Sequence, residues 1–258
     1  MNQNQEVLRF ENVCLTYQAQ NGECEALNNV NFTIYQGELV SVIGPSGCGK
    51  TTMLSLIAGL TPHTSGEIFI CGQKVQGKVS DKTGYMLQKD SLLDWRTIRA
   101  NTLLGLEICG KQTPENTEYV DSLLKAYGLW DFRKKHPFQL SGGMRQRAAL
   151  IRTMATKPDL LLLDEAFSAL DYQTRLVVAD DVYSILKREN KTAVIVTHDI
   201  AEGISMADRI IVLSKRPGKV QLDIRPKFAG KGTPLLRRED PAFREYFNLI
   251  WNELGVNV

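Results

Sequence analysis

The stretch Gly44-Pro45-Ser46-Gly47-Cys48-Gly49-Lys50-Thr51-Thr52 concentrates more chemistry than any other part of this 258-residue chain. Gly44 to Thr51 fit the spacing GxxxxGK[ST], a loop for holding phosphate. Its glycines let the backbone point successive N–H groups at one centre, and a following helix N-terminus adds partial positive charge. In such a loop Lys50 bridges the β- and γ-phosphates of a nucleotide, and the Thr51 hydroxyl is a ligand for Mg²⁺. The context is the required one: the apolar run LVSVIG reads as the strand entering the loop, and MLSLIAGL as the start of the helix leaving it. Cys48 has no catalytic demand on it; the expectation is a small filler near the helix N-terminus, where a thiolate is somewhat favoured.

A second constellation is DLLLLDE, an apolar run ending in Asp164 and Glu165. Many buried parallel strands end in acids, but after a phosphate loop the pair acquires roles. Asp164 would hold the Mg²⁺ shell and Glu165 would polarise an attacking water. The third is LSGGMRQR, Leu140 to Arg147. Taken alone, Ser141 with Gly142 and Gly143 is a helix cap and a turn.

Together with the phosphate loop, that third segment resembles the signature of the ATP-binding-cassette family. The resemblance covers about residues 7–220 and implies an α/β P-loop ATPase, with a mixed-sheet nucleotide core and an inserted helical subdomain. Gln88 matches the family's Q-loop glutamine, a contact for Mg²⁺ and water. Asp171 closes the SALD segment, and His198 in VTHD matches the switch histidine; Glu165, His198 and Gln88 are the implied catalytic set. Tyr17 matches the aromatic that stacks on adenine, and the loop residues Gly44 to Thr52, including Pro45, Ser46 and Cys48, line the ATP. Ser141, Gly142 and Gly143 meet the γ-phosphate of the ATP held by a second copy, which implies a head-to-tail pair around two ATP. Two of these positions keep an ordinary alternative: His198 as a strand-end histidine bonded to backbone, and Tyr17 as a core aromatic.

Within the family, SLLDWRT after Gln88 and LSKRPGKV resemble the nitrate/sulfonate/taurine group of bacterial importers. Importers of vitamin precursors of the thiamine or riboflavin type are the alternative, and a soluble non-transport cassette ATPase the other. A DNA-repair cassette would need a long coiled coil between Gln88 and the signature; only about 50 residues intervene, without sustained heptads. A P-loop kinase would lack LSGGMRQR and SALD. The importer resemblance implies an integral membrane permease as partner, an extracytoplasmic substrate-binding protein acting through it, and a peripheral position on the cytoplasmic face of the cell membrane. Leu92, Leu93 and Trp95 are expected to form part of a socket for a short permease helix, the alternative being that they tuck into the helical lobe.

These constellations need scaffolding. Residues 7–17 alternate like a half-buried strand, GEIFICG and TGYMLQ read as further strands, and TAVIVTHD is another apolar parallel strand. YQTRLVVADDVYSILKRE, between DLLLLDE and TAVIVTHD, supplies the crossover helix. The implied units are a core of 1–88 and 156–225, a helical subdomain of 89–155, and a tail of 226–258. In the tail Phe243, Phe247, Ile250 and Leu254 share one helical face, expected to pack on its own domain rather than on a membrane surface.

Composition excludes other classes. With 31 basic and 29 acidic residues the chain has no general pull toward nucleic acid. Its five cysteines are odd in number and form no CxxC pair, which argues against a disulfide framework or zinc site. The N-terminal MNQNQEV offers no basic-plus-apolar targeting segment, and no apolar run approaches the roughly 18 residues of a span. The expectation is a chain that reaches a membrane only through a partner.

Overall fold

The computed structural model describes residues 5–19, 22–75, 77–229 and 232–255. The first four residues of MNQNQEV and parts of the tail, 230–231 and 256–258, lie outside that description.

Two sheets sandwich the phosphate-loop helix. The first is antiparallel: β1 (Glu6–Ala19) pairs with β2 (Gly22–Tyr35) and with β4 (Ser65–Ile70), and β5 (Gln73–Lys74) completes the order β2-β1-β4-β5. The second contains β3 (Leu39–Ile43), β6 (Thr83–Met86), β7 (Leu160–Asp164), β8 (Thr192–Thr197), β9 (Arg209–Leu213) and β10 (Val220–Ile224), ordered β10-β9-β3-β8-β7-β6. Every pairing in it is parallel except β10 with β9, so the sheet is mixed.

Strands β3, β7 and β8 are buried at every residue, which is why they read as unbroken apolar runs. Their pleat divides those residues between two cores. Val40, Val42, Leu160, Leu162, Val194 and Val196 face the antiparallel sheet and α1 (Lys50–Ile57). Leu39, Leu161, Leu163, Ala193 and Ile195 face the helices on the other side.

Those helices are α2 (Ile98–Ile108), α3 (Pro114–Ala126) and α4 (Gly142–Met154), all lying between β6 and β7, followed by α5 (Tyr172–Arg188). Thr97 caps α2 by accepting from the Ala100 N–H, and Thr113 caps α3 ahead of Pro114. Buried Asn101 accepts from the Leu93 N–H at 2.7 Å and donates to the Leu93, Arg96 and Thr97 carbonyls. Arg152 donates to the carbonyls of Asp90 and Ser91. The segment after Gln88 is therefore held to the helical lobe by its backbone, and side chains there either fill the lobe or face outward.

That distinction corrects one expectation. Leu92 is 8% exposed and packs with Ile98, Leu103 and Leu150 in the lobe's core, so it offers no surface to a partner. Leu93 is half-buried, while Trp95 is 75% exposed.

Helix α6 (Ile200–Met206) follows β8, and the chain ends in α7 (Pro234–Glu239) and α8 (Pro241–Glu253). Phe243, Phe247, Ile250 and Leu254 join Ile200, Ile204, Ile210 and Val212 in a third core, with Ile250 fully buried. No helix among the described residues is long and apolar enough to cross a membrane.

Candidate functional site

The phosphate loop starts where β3 ends. Gly47 and Gly49 hold φ of 75° and 107°, in the left-handed region that favours glycine. Helix α1 begins at Lys50, three residues ahead of the apolar run that signals it in sequence. Lys50 is 6% exposed, and its ammonium donates to the carbonyls of Gly44 at 2.7 Å and Pro45 at 2.9 Å. Ser46, Gly47 and Thr51 are exposed at the loop's mouth. Cys48 is the filler expected, 1% exposed, but burial pushes its thiol up despite the nearby Lys50 and Arg216 charges. The expected bias toward thiolate is thus corrected: desolvation outweighs the helix terminus.

Tyr17 stands beside the loop, 41% exposed, with its hydroxyl 3.4 Å from that of Thr52. A core role for this aromatic is excluded by that exposure.

Asp164 closes β7 and is 7% exposed. Its carboxylate accepts from the Tyr85 hydroxyl at 3.1 Å and lies 3.4 Å from the Thr51 hydroxyl. Burial pushes its carboxyl up, and these bonds offset only part of the effect. A buried carboxylate beside a threonine hydroxyl is a hard-oxygen donor set that a divalent cation would stabilise, so the residues fit Mg²⁺.

Glu165 has already left the strand. Its φ is 45°, and its N–H donates to the Val196 carbonyl at 2.9 Å. This turn sends Asp164 and Glu165 in different directions. The Glu165 carboxylate lies 3.2 Å from His198 Nδ1 and accepts from Gln88 Nε2 at 3.3 Å. Gln88 also reaches the Ser168 hydroxyl at 3.2 Å. Three separate segments, after β6, β7 and β8, thus converge on one carboxylate, and His198 is not merely a strand-end residue bonded to backbone.

Ser141 caps α4 by accepting from the Met144 N–H, and Asp171 caps α5 by accepting from the Thr174 N–H at 3.0 Å, which holds its carboxyl below the ordinary range. Side chains at Gly142 and Gly143 would crowd Leu170 and Val178, so both glycines permit close packing of α4 on α5. Among the described residues no hydrogen bond or ion pair joins Ser141, Gly142, Gly143 or Asp171 to the phosphate loop. The loop Gly44 to Thr52 and the Ser141 cap of α4 are thus separate features of the chain, with Ser141 exposed and Gly143 buried against α5.

Two residues at the site escaped the sequence reading: Tyr85 and Trp251. Tyr85 lies three positions before Gln88 on β6, and parallel pairing with β7 is what turns it toward Asp164. Trp251 of α8 and Leu254 just after it wall a cavity of 680 Å³ whose opposite side is Gly44, Pro45, Ser46, Glu165 and His198. Only the tertiary fold brings the tail there.

A phosphate loop between two sheets, a buried Asp164 followed by a half-buried Glu165, and a helical insert define an ATP-hydrolysing P-loop cassette. The family profile described as ABC transporter matches residues 27–168, and the chain belongs to that family. An uncharacterized ABC transporter ATP-binding protein of Bacillus subtilis is 46% identical over 249 residues, 96% of this chain and 95% of that one. Taurine import ATP-binding proteins of Roseobacter denitrificans and Escherichia coli are 36% and 38% identical, over 95% and 88% of this chain and 94% and 92% of theirs. Among solved structures, the cassette MJ0796, a dimer in a post-hydrolysis state bound to ADP and Pi, superposes with a TM-score of 0.71. It is 32% identical, covering 85% of this chain and 99% of that one. The chain is accordingly an ATP-binding subunit with ATPase activity, in the α/β architecture its motifs imply.

Proposed function

We propose that two copies of this chain pair head-to-tail around two Mg-ATP and drive a membrane permease that imports a small organic anion of the sulfonate or taurine type. The observation that carries the hydrolytic part is Glu165, held between Gln88 and His198 at the edge of the phosphate loop. In this reading the loop N–H groups and Lys50 neutralise the β- and γ-phosphates, and Tyr17 stacks on adenine. Thr51, Asp164 and Gln88 would hold Mg²⁺, which supplies charge neutralisation on the transferred phosphoryl group. Glu165 orients a water for in-line attack on the γ-phosphorus. The bond to the ADP oxygen breaks, and the water's proton passes to the carboxylate. His198 and Gln88 hold that carboxylate in place.

Ser141, Gly142, Gly143 and Asp171 act across the pair, on the partner's ATP. Ser141 and Asp171 lie exposed at the N-termini of α4 and α5 and make no bond to the chain's own loop, which supports that division. The dimeric state of the similar cassette supports the pairing. The import direction and the anionic substrate rest on the taurine import relatives. The permease would seat a short helix against Leu93 and Trp95, placing the subunit peripherally on the cytoplasmic face of the membrane. The extracytoplasmic binding protein acts only through that permease.

Glu165→Gln tests the core of this reading. It should retain ATP affinity, lose turnover by a hundredfold or more (order of magnitude for a positioned base), and elute as an ATP-trapped dimer in size-exclusion chromatography. Near-normal hydrolysis would remove Glu165 from the role.

A further inference from the structure

The segment LSKRPGKV, distinctive in sequence, has no part in the chemistry above. In the fold it joins β9 to β10, and it lies back over the outside of the phosphate loop. Ser214 and Lys219 close the turn through a 3.0 Å backbone bond, and the Ser214 hydroxyl donates to the Pro217 carbonyl. Gly218 then stitches it to β2: its N–H donates to the Ala26 carbonyl at 2.9 Å, and its carbonyl accepts from the Asn28 N–H at 3.0 Å. A side chain at Gly218 would overlap the Cys48 carbonyl, so the turn presses directly on the loop.

This seating aims Arg216 at two acceptors on different elements. Its Nε donates to the Gly47 carbonyl at 3.2 Å, and its Nη1 lies 3.2 Å from the Cys24 sulfur. Cys24 is the residue paired with Tyr17 across the β1–β2 register. Arg216 therefore clasps the wall that carries Tyr17 to the tip of the phosphate loop. The clasp falls on a weak point. Gly47, at φ 75° and with open space around its Cα, is a residue whose peptide can rotate at little steric cost. The Gly47 carbonyl and the Cys48 N–H are two ends of one peptide. The Cys48 N–H donates to the Pro45 carbonyl at 3.3 Å within the loop, and fixing the Gly47 carbonyl from outside steadies that peptide from its other end; oriented amides are what such a loop binds phosphate with. The charge is felt in the loop, where Arg216 is among the groups that oppose the upward push on the Cys48 thiol.

We propose that Arg216 is a positioning residue for nucleotide phosphate binding, holding the Gly47–Cys48 peptide in its binding orientation and tying it to the adenine-side wall. The proposal rests on Gly44 to Thr51 being the phosphate site. The planar fork matters, because a lysine offers one point of charge and cannot hold both acceptors.

The experiment measures ATP KM and kcat, ADP affinity by titration, and melting temperature for Arg216→Ala and Arg216→Lys, with Lys50→Ala as reference. Loss of a charge-assisted hydrogen bond predicts a rise of about tenfold in KM and in ADP Kd for Arg216→Ala, with kcat within about twofold. Arg216→Lys, which leaves the turn and its charge in place, should still show most of that rise at an unchanged melting temperature. Maleimide labelling of Cys24 should accelerate in both. Wild-type KM in Arg216→Lys would overturn the proposal, as would a fall in kcat and melting temperature at constant KM. If Lys50→Ala also binds ADP normally, the phosphate-site reading itself fails, and the proposal with it.

Discussion

Tyr85→Phe removes the phenol's hydrogen bond to the proposed magnesium ligand. The phenol donates to Asp164 at 3.1 Å, and the acceptor is 7% exposed. Burial and the neighbouring Asp164 charge hold the Tyr85 hydroxyl protonated far into the alkaline range, so it donates at every working pH. The ring packs against the apolar core shared by the two sheets, and phenylalanine keeps that packing. What is removed is the hydrogen bond to a charged, buried group, worth about 2 kcal/mol, together with a lesser hydrogen-bond contact to Ser55. For a chain of this size that is about 6 °C of melting temperature. The sign with pH follows from the same bond. Tyr85 lowers the Asp164 carboxyl against the upward push of burial, so its loss moves that carboxyl higher still. Proton and cation compete for one carboxylate. The acid limb of kcat/KM for Mg-ATP should therefore shift to higher pH, with more Mg²⁺ needed for half-maximal activity on that limb. Calorimetric melts at pH 8 and an ATPase profile against pH and Mg²⁺ measure both effects. A variant whose melt stays within about 1 °C of wild type and whose acid limb does not move would refute the account of Asp164 as a buried carboxylate steadied by Tyr85.

The remaining predictions concern other parts of the molecule. Glu202, 3% exposed on α6, has its carboxyl pushed up to about 7 by burial, against 4.5 ordinarily. Between those values the native state keeps a proton that the unfolded chain has released, so stability falls as pH rises, by about 3 kcal/mol in all. Glu202→Gln should flatten that slope, gaining on wild type at pH 8 relative to pH 5 in thermal melts; parallel curves would contradict it. Maleimide should label exposed Cys109 first and buried Cys48 last, with mass spectrometry of the peptides deciding the order. Trp95→Ala should leave the isolated subunit's ATPase rate within about twofold while abolishing permease assembly or substrate-stimulated hydrolysis in vesicles, as a lost aromatic anchor would. Normal uptake at equal assembly would take Trp95 out of the socket.

Much of this protein is legible in one dimension because its chemistry is local. Phosphate binding requires glycines, a lysine and a threonine at fixed spacing between a strand and a helix, and Gly44 to Thr51 state that requirement directly. Strands β3, β7 and β8 are equally plain, since burial on both faces leaves an apolar run with no polar interruption. Ser141 and Asp171 announce helix starts for the same local reason, a side-chain oxygen facing orphan N–H groups. Other features are invisible without the third dimension. Leu92 and Trp95 are both apolar neighbours of Gln88 in sequence. Asn101 and Arg152 fix the backbone between them, and that fixing buries one and exposes the other. The turn at Glu165 separates two adjacent carboxylates, one beside Thr51 and Tyr85 and the other held by His198 and Gln88. No spacing rule predicts that rotation, because it depends on the Val196 carbonyl one strand away. Tyr85 reaches Asp164 through parallel register, Arg216 reaches Gly47 through the seating of Gly218 on β2, and Trp251 reaches the loop from the far end of the chain. The sequence by itself determined where the phosphate-loop pattern lies and which segments are strands and caps, because those depend on neighbours a few bonds apart. Only the tertiary structure decided which carboxylate His198 and Gln88 contact, which apolar side chain is exposed and which residue reaches the Gly47 carbonyl, because those depend on contacts made by segments tens to hundreds of residues apart.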